Sequence, residues 1–326
     1  MGDPAGCGPQ ITALAWQARE VERLPAFFVI GDPALYHAFG PVEAISSPVQ
    51  AGAVFERALP VLVQNANIDE GFKIGTPSGA YASSIIDSIK TATRFAIDGH
   101  ASAVVTNPIS KAVLYQEGFE FPGHTEFIAD LCKDTAHSVD RPIMMLVGGG
   151  LRVALATIHV PLMQVLDHLS AETLNETARI THRALVTDFG LPSPRIAFTG
   201  LNPHAGEDGT IGTEERDLIN PVAAQLRGDG INISDARPAD TVFHEALHGQ
   251  FDAVIAMTHD QGLIPVKTLD MWGGVNTTHG LPIIRTSPDH GTAYDAAAAG
   301  TCRPDSLIAA LKLATHLANN RGGSND

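Results

Sequence analysis

The sequence predicts an α/β fold in which short, buried parallel strands alternate with helices. Three nearly continuous apolar runs, typical of buried parallel strands, span 152–157, 195–200 and 251–257. Each run is followed within a few residues by a histidine, and these are His159, His204 and His259. Helix-compatible segments separate the apolar runs throughout the chain, and this alternation favours an α/β sheet.

Length, charge and composition limit the classes of protein to consider. At 326 residues the chain is long enough for two domains or one large α/β unit. Its 36 acidic and 21 basic residues give a formal charge of -15, which disfavours a nucleic-acid partner. An anionic substrate would therefore need a local basic pocket.

The sequence shows neither a membrane span nor a secretory leader, and its cysteines form no recognisable framework. No window is long and apolar enough for a membrane helix, and the first residues lack basic and apolar leader regions. We therefore expect a cytoplasmic protein without a membrane partner. The three cysteines share no short spacing, so nitrogen and oxygen atoms would hold any bound metal.

The remaining elements follow from local signals along the chain. A glycine-rich loop over 2–9 enters a helix at 11–21, but a third glycine is missing at Ile11, so the dinucleotide fingerprint is incomplete. Further strands are expected at 25–30, 101–106 and 142–147, helices at 83–97, 170–190 and 303–317, a helix or strand at 54–63, and a polar tail at 319–326. Thr125 can cap a helix that starts beside it, and Ser170 can cap the helix expected at 170–190. The 142–147 strand can pair with the next one as a hairpin.

The three strand-end histidines suggest a metal site. Ligand sites in open α/β sheets lie just beyond the carboxyl ends of the strands. A neutral set of three histidines suits Zn²⁺ or a similar divalent ion and leaves coordination positions for substrate. Asp240 and Asp260 are available to orient the imidazole rings. The alternative for any one of these histidines is a hydrogen bond at a turn.

A second histidine pattern must be weighed against this site. The segment His244-Glu245-Ala246-Leu247-His248 matches the zinc-protease motif His-Glu-x-x-His literally. No third ligand follows at a familiar spacing, and a five-residue pattern arises easily by chance. We therefore expect no protease.

Cationic and amide side chains after His259 predict an anion pocket. Lys267, Asn276 and Arg285 lie among glycines, and this arrangement favours a loop-built pocket for carboxylate or phosphate. His124 stands beside the predicted helix start at Thr125, where a helix N-terminus can receive an anion. The alternative is a capped surface helix with a solvent-facing His124.

Several long segments resemble one known family. They are Gly2-Asp3-Pro4-Ala5-Gly6, Gly123-His124-Thr125-Glu126, Thr157-Ile158-His159-Val160-Pro161-Leu162, Leu201-Asn202-Pro203-His204-Ala205-Gly206-Glu207, His259-Asp260-Gln261-Gly262-Leu263-Ile264-Pro265-Val266-Lys267 and Arg285-Thr286-Ser287-Pro288-Asp289-His290-Gly291-Thr292-Ala293. In order and content they are similar to the 4-hydroxythreonine-4-phosphate dehydrogenase family of pyridoxal phosphate synthesis. The resemblance covers nearly the whole chain.

The resemblance implies an architecture and an oligomer. We expect a homodimer of two-domain α/β/α subunits, similar to the isocitrate and isopropylmalate dehydrogenase fold, with the active site in the interdomain cleft at the dimer interface. The expected domains are 1–125 with 290–326, and 126–289, the second carrying the metal-site loops.

The resemblance also implies residue roles. His159, His204 and His259 would bind a divalent metal (Zn²⁺, Mg²⁺ or Co²⁺), with one ligand supplied across the dimer. The expected substrate-binding residues are His124, Thr125, Lys267, Asn276 and Arg285. The expected NAD-binding residues are Asp289, His290, Gly291, Thr292 and Asp295, and the catalytic group would be Lys267, Asp240 and Asp260.

The implied reaction is NAD-dependent oxidation of 4-phosphooxy-L-threonine to a 3-oxo acid. That acid would lose CO₂ to leave 3-amino-2-oxopropyl phosphate. One alternative keeps the metal and NAD but acts on a four-carbon sugar-acid phosphate or a cyclic dihydrodiol dicarboxylate. Alternatives of other classes are a metal-dependent hydrolase or lyase, and a binding protein without activity.

Overall fold

The structure is a computed structural model that describes residues 1–64, 72–135 and 141–323. Its strands are β1 (Val29–Gly31), β2 (Val42–Ile45), β3 (Leu59–Val63), β4 (Val104–Val105), β5 (Ile143–Gly148), β6 (Leu151–Leu155), β7 (Ile196–Phe198), β8 (Ala253–Ala256), β9 (Val275–His279) and β10 (Arg285–Pro288). Its helices are α1 (Gly8–Gln17), α2 (Arg19–Glu22), α3 (Ala51–Phe55), α4 (Ala82–Ile97), α5 (Lys111–Gln116), α6 (His124–Cys132), α7 (Val165–His168), α8 (Ala171–Thr187), α9 (Asn220–Gly228), α10 (Val242–Leu247), α11 (His259–Leu269), α12 (Tyr294–Ala299) and α13 (Asp305–Gly323).

The chain divides into two compact units, and both mix strands with helices. Unit 1 comprises 1–140 and 281–315, and unit 2 comprises 141–280 and 316–326. The predicted α/β class is therefore confirmed. Within the described residues, no helix has the length and apolar character that crossing a bilayer requires.

Unit 1 contains two groups of parallel strands. In the first, β3 lies between β1 and β2 and is parallel to both. In the second, β4 pairs in parallel with β10, and Arg285 lies opposite Val104. The run at 54–63, expected to be one helix or one strand, divides into the end of α3 and all of β3, and Pro60 lies inside β3.

Unit 2 is built on the strands that lead to the three histidines. Its strands follow the order β9-β5-β6-β8-β7. The expected hairpin is confirmed, because β5 is antiparallel to β6. Strand β8 lies between β6 and β7 and is parallel to both. The three predicted strands at 152–157, 195–200 and 251–257 are therefore adjacent and point in the same direction.

Packing assigns the segments near the unit limits. Phe127, Ile128 and Cys132 of α6 belong to one buried cluster with Ile85 and Leu114 of unit 1. Helix α6 therefore lies in unit 1, and so does β10 through its pairing with β4. The domain boundaries expected from the sequence, at 125/126 and 289/290, would place most of α6 and all of β10 in the second domain. These boundaries remain a prediction.

Two helix starts were expected from polar caps, and only one of them is observed. Ser170 caps α8 as expected, since its side chain accepts a hydrogen bond from the Thr173 backbone N–H. Helix α6 instead begins at His124 after Gly123, without a side-chain cap. Thr125 lies inside the first turn, so the expected Thr125 cap was wrong. Glycine and threonine both occur at helix starts, and the sequence does not distinguish them.

The expected polar tail is largely helical. Helix α13 continues to Gly323, and residues 324–326 of the predicted tail lie outside the described residues. Arg321 donates two hydrogen bonds of 2.9 Å to the carboxylate of Asp188, and the Asn320 amide donates to the Asp188 backbone carbonyl at 2.8 Å. The tail is ordered because Asp188 is buried and takes its partners from α13.

Asp188 should make the free energy of unfolding depend on pH in the acidic range. Burial alone would raise the pKa of Asp188, but hydrogen bonds from His279 and Arg321 outweigh burial and bring the pKa to about 2. The unfolded carboxyl has a pKa of about 3.9. The stabilisation is therefore complete above about pH 4 and is lost as the pH falls towards about 2.

We expect Asp188→Asn to lower the free energy of unfolding at neutral pH by about 3 kcal/mol, because it breaks a buried ion pair. The difference from the wild type should shrink as the pH falls from about 4 to about 2. Urea unfolding across this pH range measures both effects. The control is Asp229→Asn, which removes the surface pair with Arg179 and should have little effect.

Candidate active site

Three loops with histidines leave the same edge of the unit 2 sheet. Because β6, β8 and β7 are parallel neighbours, their carboxyl ends meet at one edge. His159 lies in the loop after β6, His204 in the turn after β7, and His259 is the first residue of α11 after β8. The location of the histidines at equivalent strand ends agrees with the sequence prediction.

Two of the three histidines face each other. The ring centroids of His159 and His259 are 5.6 Å apart. The Nδ1 atom of His259 lies 2.8 Å from an Oδ1 atom of Asp260, so this carboxylate orients the ring. Within the described part of one chain, no three histidine, cysteine, aspartate or glutamate side chains form a metal-binding group. One subunit therefore brings together His159 and His259, and not His204.

The histidine pair fits a divalent metal in chemistry and spacing. Two imidazoles bound to one zinc ion at about 2.0–2.1 Å place their ring centres about 5 Å apart. The observed 5.6 Å is close to this separation. Imidazole nitrogens suit zinc, cobalt and similar ions. A metal held by these two residues would need at least one further ligand.

His204 lies in a turn with an unusual backbone. Five consecutive residues have positive φ angles: His204 (53°), Ala205 (51°), Gly206 (79°), Glu207 (43°) and Asp208 (54°). Only glycine adopts this region without steric cost, and each other residue costs roughly 1–2 kcal/mol. Such a turn persists only where its surroundings hold it, and strain of this kind concentrates at functional sites.

Glu215 holds the start of this turn. It is 3% exposed, and its Oε1 accepts hydrogen bonds of 2.7 Å from the backbone N–H groups of Leu201 and Asn202. The side-chain amide of Asn202 also donates to the Oε2 atom of Glu215 at 3.0 Å. Sequence patterns did not identify Glu215 as a residue of the site. No local signal distinguishes it from its exposed neighbours.

We expect Glu215→Gln to loosen the His204 turn, because the new amide nitrogen faces the Asn202 donor. The free energy of unfolding should fall by about 1–3 kcal/mol, and metal affinity by about tenfold. Thermal melting and metal retained after dialysis measure these effects. Asp217→Asn, an exposed change with a surface partner in Arg216, is the matched control. Unchanged melting and metal retention in Glu215→Gln would contradict this role.

Hydrogen bonds connect all three histidine loops. The Gln261 side chain donates to the Gly200 carbonyl at 2.8 Å and accepts from the Met257 N–H at 2.8 Å, which joins the ends of β7 and β8. The Thr157 hydroxyl donates to the Met257 carbonyl at 2.7 Å, which joins the ends of β6 and β8. Sequence reasoning missed these residues, although polar side chains at the ends of apolar runs were a usable signal.

Unit 1 holds three of the predicted substrate residues. His124 and Thr125 form the first turn of α6, and Arg285 begins β10. Arg285 is 4% exposed and donates to the Thr106 hydroxyl at 2.8 Å. Burial lowers the pKa of Arg285 to about 10. Arg285 is thus a buried cation on a strand, and the expected loop location was wrong.

The side chain of His124 is half-buried rather than solvent-facing. Burial, followed by the positive charges of Arg285, the N-terminal amino group and Lys111, holds the pKa of His124 well below its ordinary value, so the ring is neutral. Its Nε2 atom is buried and has no hydrogen-bond partner among the described residues. A buried polar atom without a partner costs free energy and is an expected feature of a ligand site.

Unit 2 holds the other two predicted substrate residues. Lys267 lies on α11, eight positions after His259, rather than in a loop. Asn276 lies on β9 opposite Leu146, and its buried Oδ1 atom has no partner among the described residues. Asn276 thus shares this feature of a ligand site with His124.

The predicted cofactor segment follows β10. The Asp289 N–H donates to the Ser306 hydroxyl at 3.1 Å, and the Cys7 N–H donates to the Thr292 carbonyl at 2.8 Å. His290 and Gly291 are exposed in the same loop, and Asp295 is exposed in the first turn of α12. The glycine-rich N-terminal loop and this segment are therefore in direct contact within unit 1.

The His-Glu-x-x-His segment is used structurally. The rings of His244 and His248 lie 4.0 Å apart, and the Nδ1 atom of His248 is 2.8 Å from the His244 carbonyl. Glu245 pairs with Arg237 at 2.7 Å. Glu245 is thus engaged in an ion pair with Arg237, whereas the protease motif requires this glutamate as a general base. Asp240 is exposed in the turn before α10.

Comparisons with known proteins agree with the resemblance seen in the sequence. Residues 24–314 match the family model described as pyridoxal phosphate biosynthetic protein PdxA. Over 331 residues the chain is 50% identical to the 4-hydroxythreonine-4-phosphate dehydrogenase of Maricaulis maris, covering 98% of this chain and 97% of that one.

Two solved structures have similar folds. The crystal structure of 4-hydroxythreonine-4-phosphate dehydrogenase from Klebsiella pneumoniae aligns with a TM-score of 0.82 and 33% identity over 98% of both chains. A terephthalate 1,2-cis-dihydrodiol dehydrogenase from Burkholderia xenovorans aligns with a TM-score of 0.64 and 27% identity, over 97% of this chain and 96% of that one. Since the family model and the 50% identical relative together span nearly its whole length, the chain belongs to the pyridoxal phosphate biosynthetic protein PdxA family.

Proposed function

We propose that the chain catalyses NAD-dependent oxidation of 4-phosphooxy-L-threonine to a 3-oxo acid, which then loses CO₂ to leave 3-amino-2-oxopropyl phosphate. The observation that carries the proposal is the His159 and His259 pair at the shared strand edge of a chain in this family. The alternative hydrolase or lyase reading has no comparable support, because the relatives named above are dehydrogenases.

His159, His204 and His259 would hold a divalent metal, with zinc, magnesium and cobalt as the candidates. When bound, such an ion supplies Lewis-acid chemistry that makes the substrate hydroxyl more acidic and polarises the ketone product. The protein's own contribution is to orient the ligands. Asp260 fixes the ring of His259, Glu215 fixes the turn of His204, and Asp240 is proposed as a further orienting carboxylate.

The remaining residues bind substrate and cofactor in this proposal. In unit 1, Arg285 and the first turn of α6 with His124 and Thr125 hold the phosphate. In unit 2, Asn276 accepts a hydrogen bond from the substrate, and Lys267 holds the substrate and moves a proton. The nicotinamide cofactor is NAD, held by Asp289, His290, Gly291, Thr292 and Asp295. The enzyme is proposed to work in the cytoplasm.

A homodimer is part of this proposal. Leu162 and Met163, which follow the His159 loop, are 78% and 94% exposed in the single chain. Exposed apolar residues beside a site indicate a surface that another molecule covers. A second copy would cover them and can supply the missing third ligand, since His204 is exposed and apart from the pair in its own chain.

Mixing two inactive variants tests the shared site. His159→Ala and His204→Ala should each be inactive, and refolding them together should restore part of the activity, because mixed dimers contain one intact site. Sedimentation should give a dimer. If the mixture stays inactive while both variants are dimeric, the third ligand does not come from the second copy.

A substrate panel tests the reaction itself. The metal-loaded protein is mixed with NAD and 4-phosphooxy-L-threonine, a four-carbon sugar-acid phosphate or a cyclic dihydrodiol dicarboxylate, and NADH absorbance is followed. We expect the phosphothreonine to react with the highest kcat/KM. Preference for either of the other compounds would move the proposal to that substrate. Turnover without NADH would replace the dehydrogenase by a hydrolase or lyase.

A further inference from the structure

Lys111 stands at the N-terminus of α6 although its own helix starts elsewhere. It is the first residue of α5, in the segment that follows the carboxyl end of β4. A Cβ atom placed on Gly123, the residue before α6, would lie 3.4 Å from Lys111 Cε and 3.7 Å from Lys111 Nζ. The ammonium group therefore lies against the start of a nine-residue helix.

This location is electrostatically unfavourable without an anion. The N-terminus of a helix carries a partial positive charge of roughly half a unit, and cations are favoured at the opposite end. Buried Arg285 adds a second full positive charge close enough, like Lys111, to lower the pKa of His124. Glu126 is the nearby carboxylate, since its Oε2 atom would lie 3.5 Å from the same Cβ atom. One negative charge does not balance two cations and a helix end.

Three other lysines of unit 1 form ion pairs. Lys90, Lys133 and Lys312 pair with Asp87, Asp130 and Glu22 at 3.5, 2.9 and 2.6 Å. For Lys111, the described ranges 1–64, 72–135 and 141–323 contain no carboxylate within ion-pair distance. An exposed lysine without a partner is ordinary by itself. Here a second observation points to a ligand, because the buried Nε2 atom of His124, in the first turn of α6, also has no hydrogen-bond partner in the part of the chain that the structure describes.

We propose that Lys111 is a phosphate-binding residue that, with Arg285 and the first turn of α6, holds the phosphate of the substrate. The identification of the anion with the substrate's phosphate rests on the proposed function. A phosphate dianion would neutralise Lys111 and Arg285, accept hydrogen bonds from the free N–H groups of the helix start, and accept another from His124. Lys111 binds the substrate and takes no part in hydride or proton transfer.

Binding of inorganic phosphate to the metal-loaded full chain tests the proposal without requiring turnover. In calorimetric titrations, we expect Lys111→Met to weaken phosphate binding about tenfold, the effect of losing one charge-assisted hydrogen bond. Lys111→Arg should retain binding within about threefold, because it keeps the charge. Lys133→Met removes a lysine from the other end of α6 and is the matched control, with unchanged binding expected.

The kinetic result has a separate signature. With 4-phosphooxy-L-threonine, Lys111→Met should raise KM about tenfold and leave kcat nearly unchanged, since the phosphate is remote from the bonds that react. Equal melting temperatures show that the variants are folded, as expected for an exposed side chain. Unchanged phosphate affinity in Lys111→Met, or no phosphate binding by the wild type, would overturn the inference. If phosphate binding depends on Lys111 but the protein does not oxidise the substrate, only the proposed function is overturned.

Discussion

Replacing His259 with alanine is expected to lower kcat/KM about a thousandfold. Loss of a metal ligand removes Lewis-acid stabilisation of about 4 kcal/mol, and each 1.36 kcal/mol changes a rate about tenfold. His259 is one of the two histidines that a single subunit brings together. The same change should reduce the metal content of the purified protein, which mass spectrometry measures independently of activity.

His248→Ala is the control for this experiment. His248 is an exposed histidine of unit 2, and its ring packs against that of His244 on α10. Its removal should change kcat/KM and metal content by no more than about twofold, because surface substitutions have small effects. If His248→Ala loses the metal while His259→Ala keeps it, the His-Glu-x-x-His segment is the metal site and the present assignment is wrong.

Arg285→Met is expected to lower kcat/KM about a hundredfold, mainly through KM. A buried charge that contacts an anion contributes about 3 kcal/mol when its partner is bound, and truncating it loses that contribution. Arg285→Lys keeps the charge but loses the planar fork, so a smaller loss of about tenfold is expected. Steady-state kinetics of both variants and the wild type measure whether Arg285→Met loses more kcat/KM than Arg285→Lys.

The stability of Arg285→Met separates binding from folding. Burying a guanidinium group is costly, and the apolar replacement has a similar shape, so the free energy of unfolding should fall by no more than about 1 kcal/mol. Arg303→Met, which removes a half-exposed arginine paired with Asp305, should change neither KM nor stability. A large loss of stability with unchanged KM would show that Arg285 is structural.

Much of the architecture around the candidate site was predictable from local patterns. The three apolar runs before the histidines are strands, because continuous hydrophobic sequence of that length is typical of buried parallel strands. The Ser170 cap and the β5-β6 hairpin follow from signals a few residues long. The Thr125 cap failed because Gly123 provides an equally good helix start two residues earlier.

The supporting residues were not predictable in the same way. Glu215 is buried because the backbone of 201–202 turns towards it, and an exposed glutamate would have an indistinguishable sequence context. Arg285 was expected in a loop but belongs to β10, because its partner strand β4 is about 180 residues earlier in the chain. The helical tail depends in the same way on Asp188.

The sequence by itself determined the class of fold, the strand-end location of the histidines and the family to which they point, because hydrophobic periodicity and motif chemistry are written in contiguous residues. Only the tertiary structure decided that the rings of His159 and His259 lie together without His204. It also decided that the positive charges of Lys111 and Arg285 both lie close enough to His124 to lower its pKa. Those relations depend on the order and direction in which distant strands pair, and contacts between distant segments leave no periodic trace in the segments themselves.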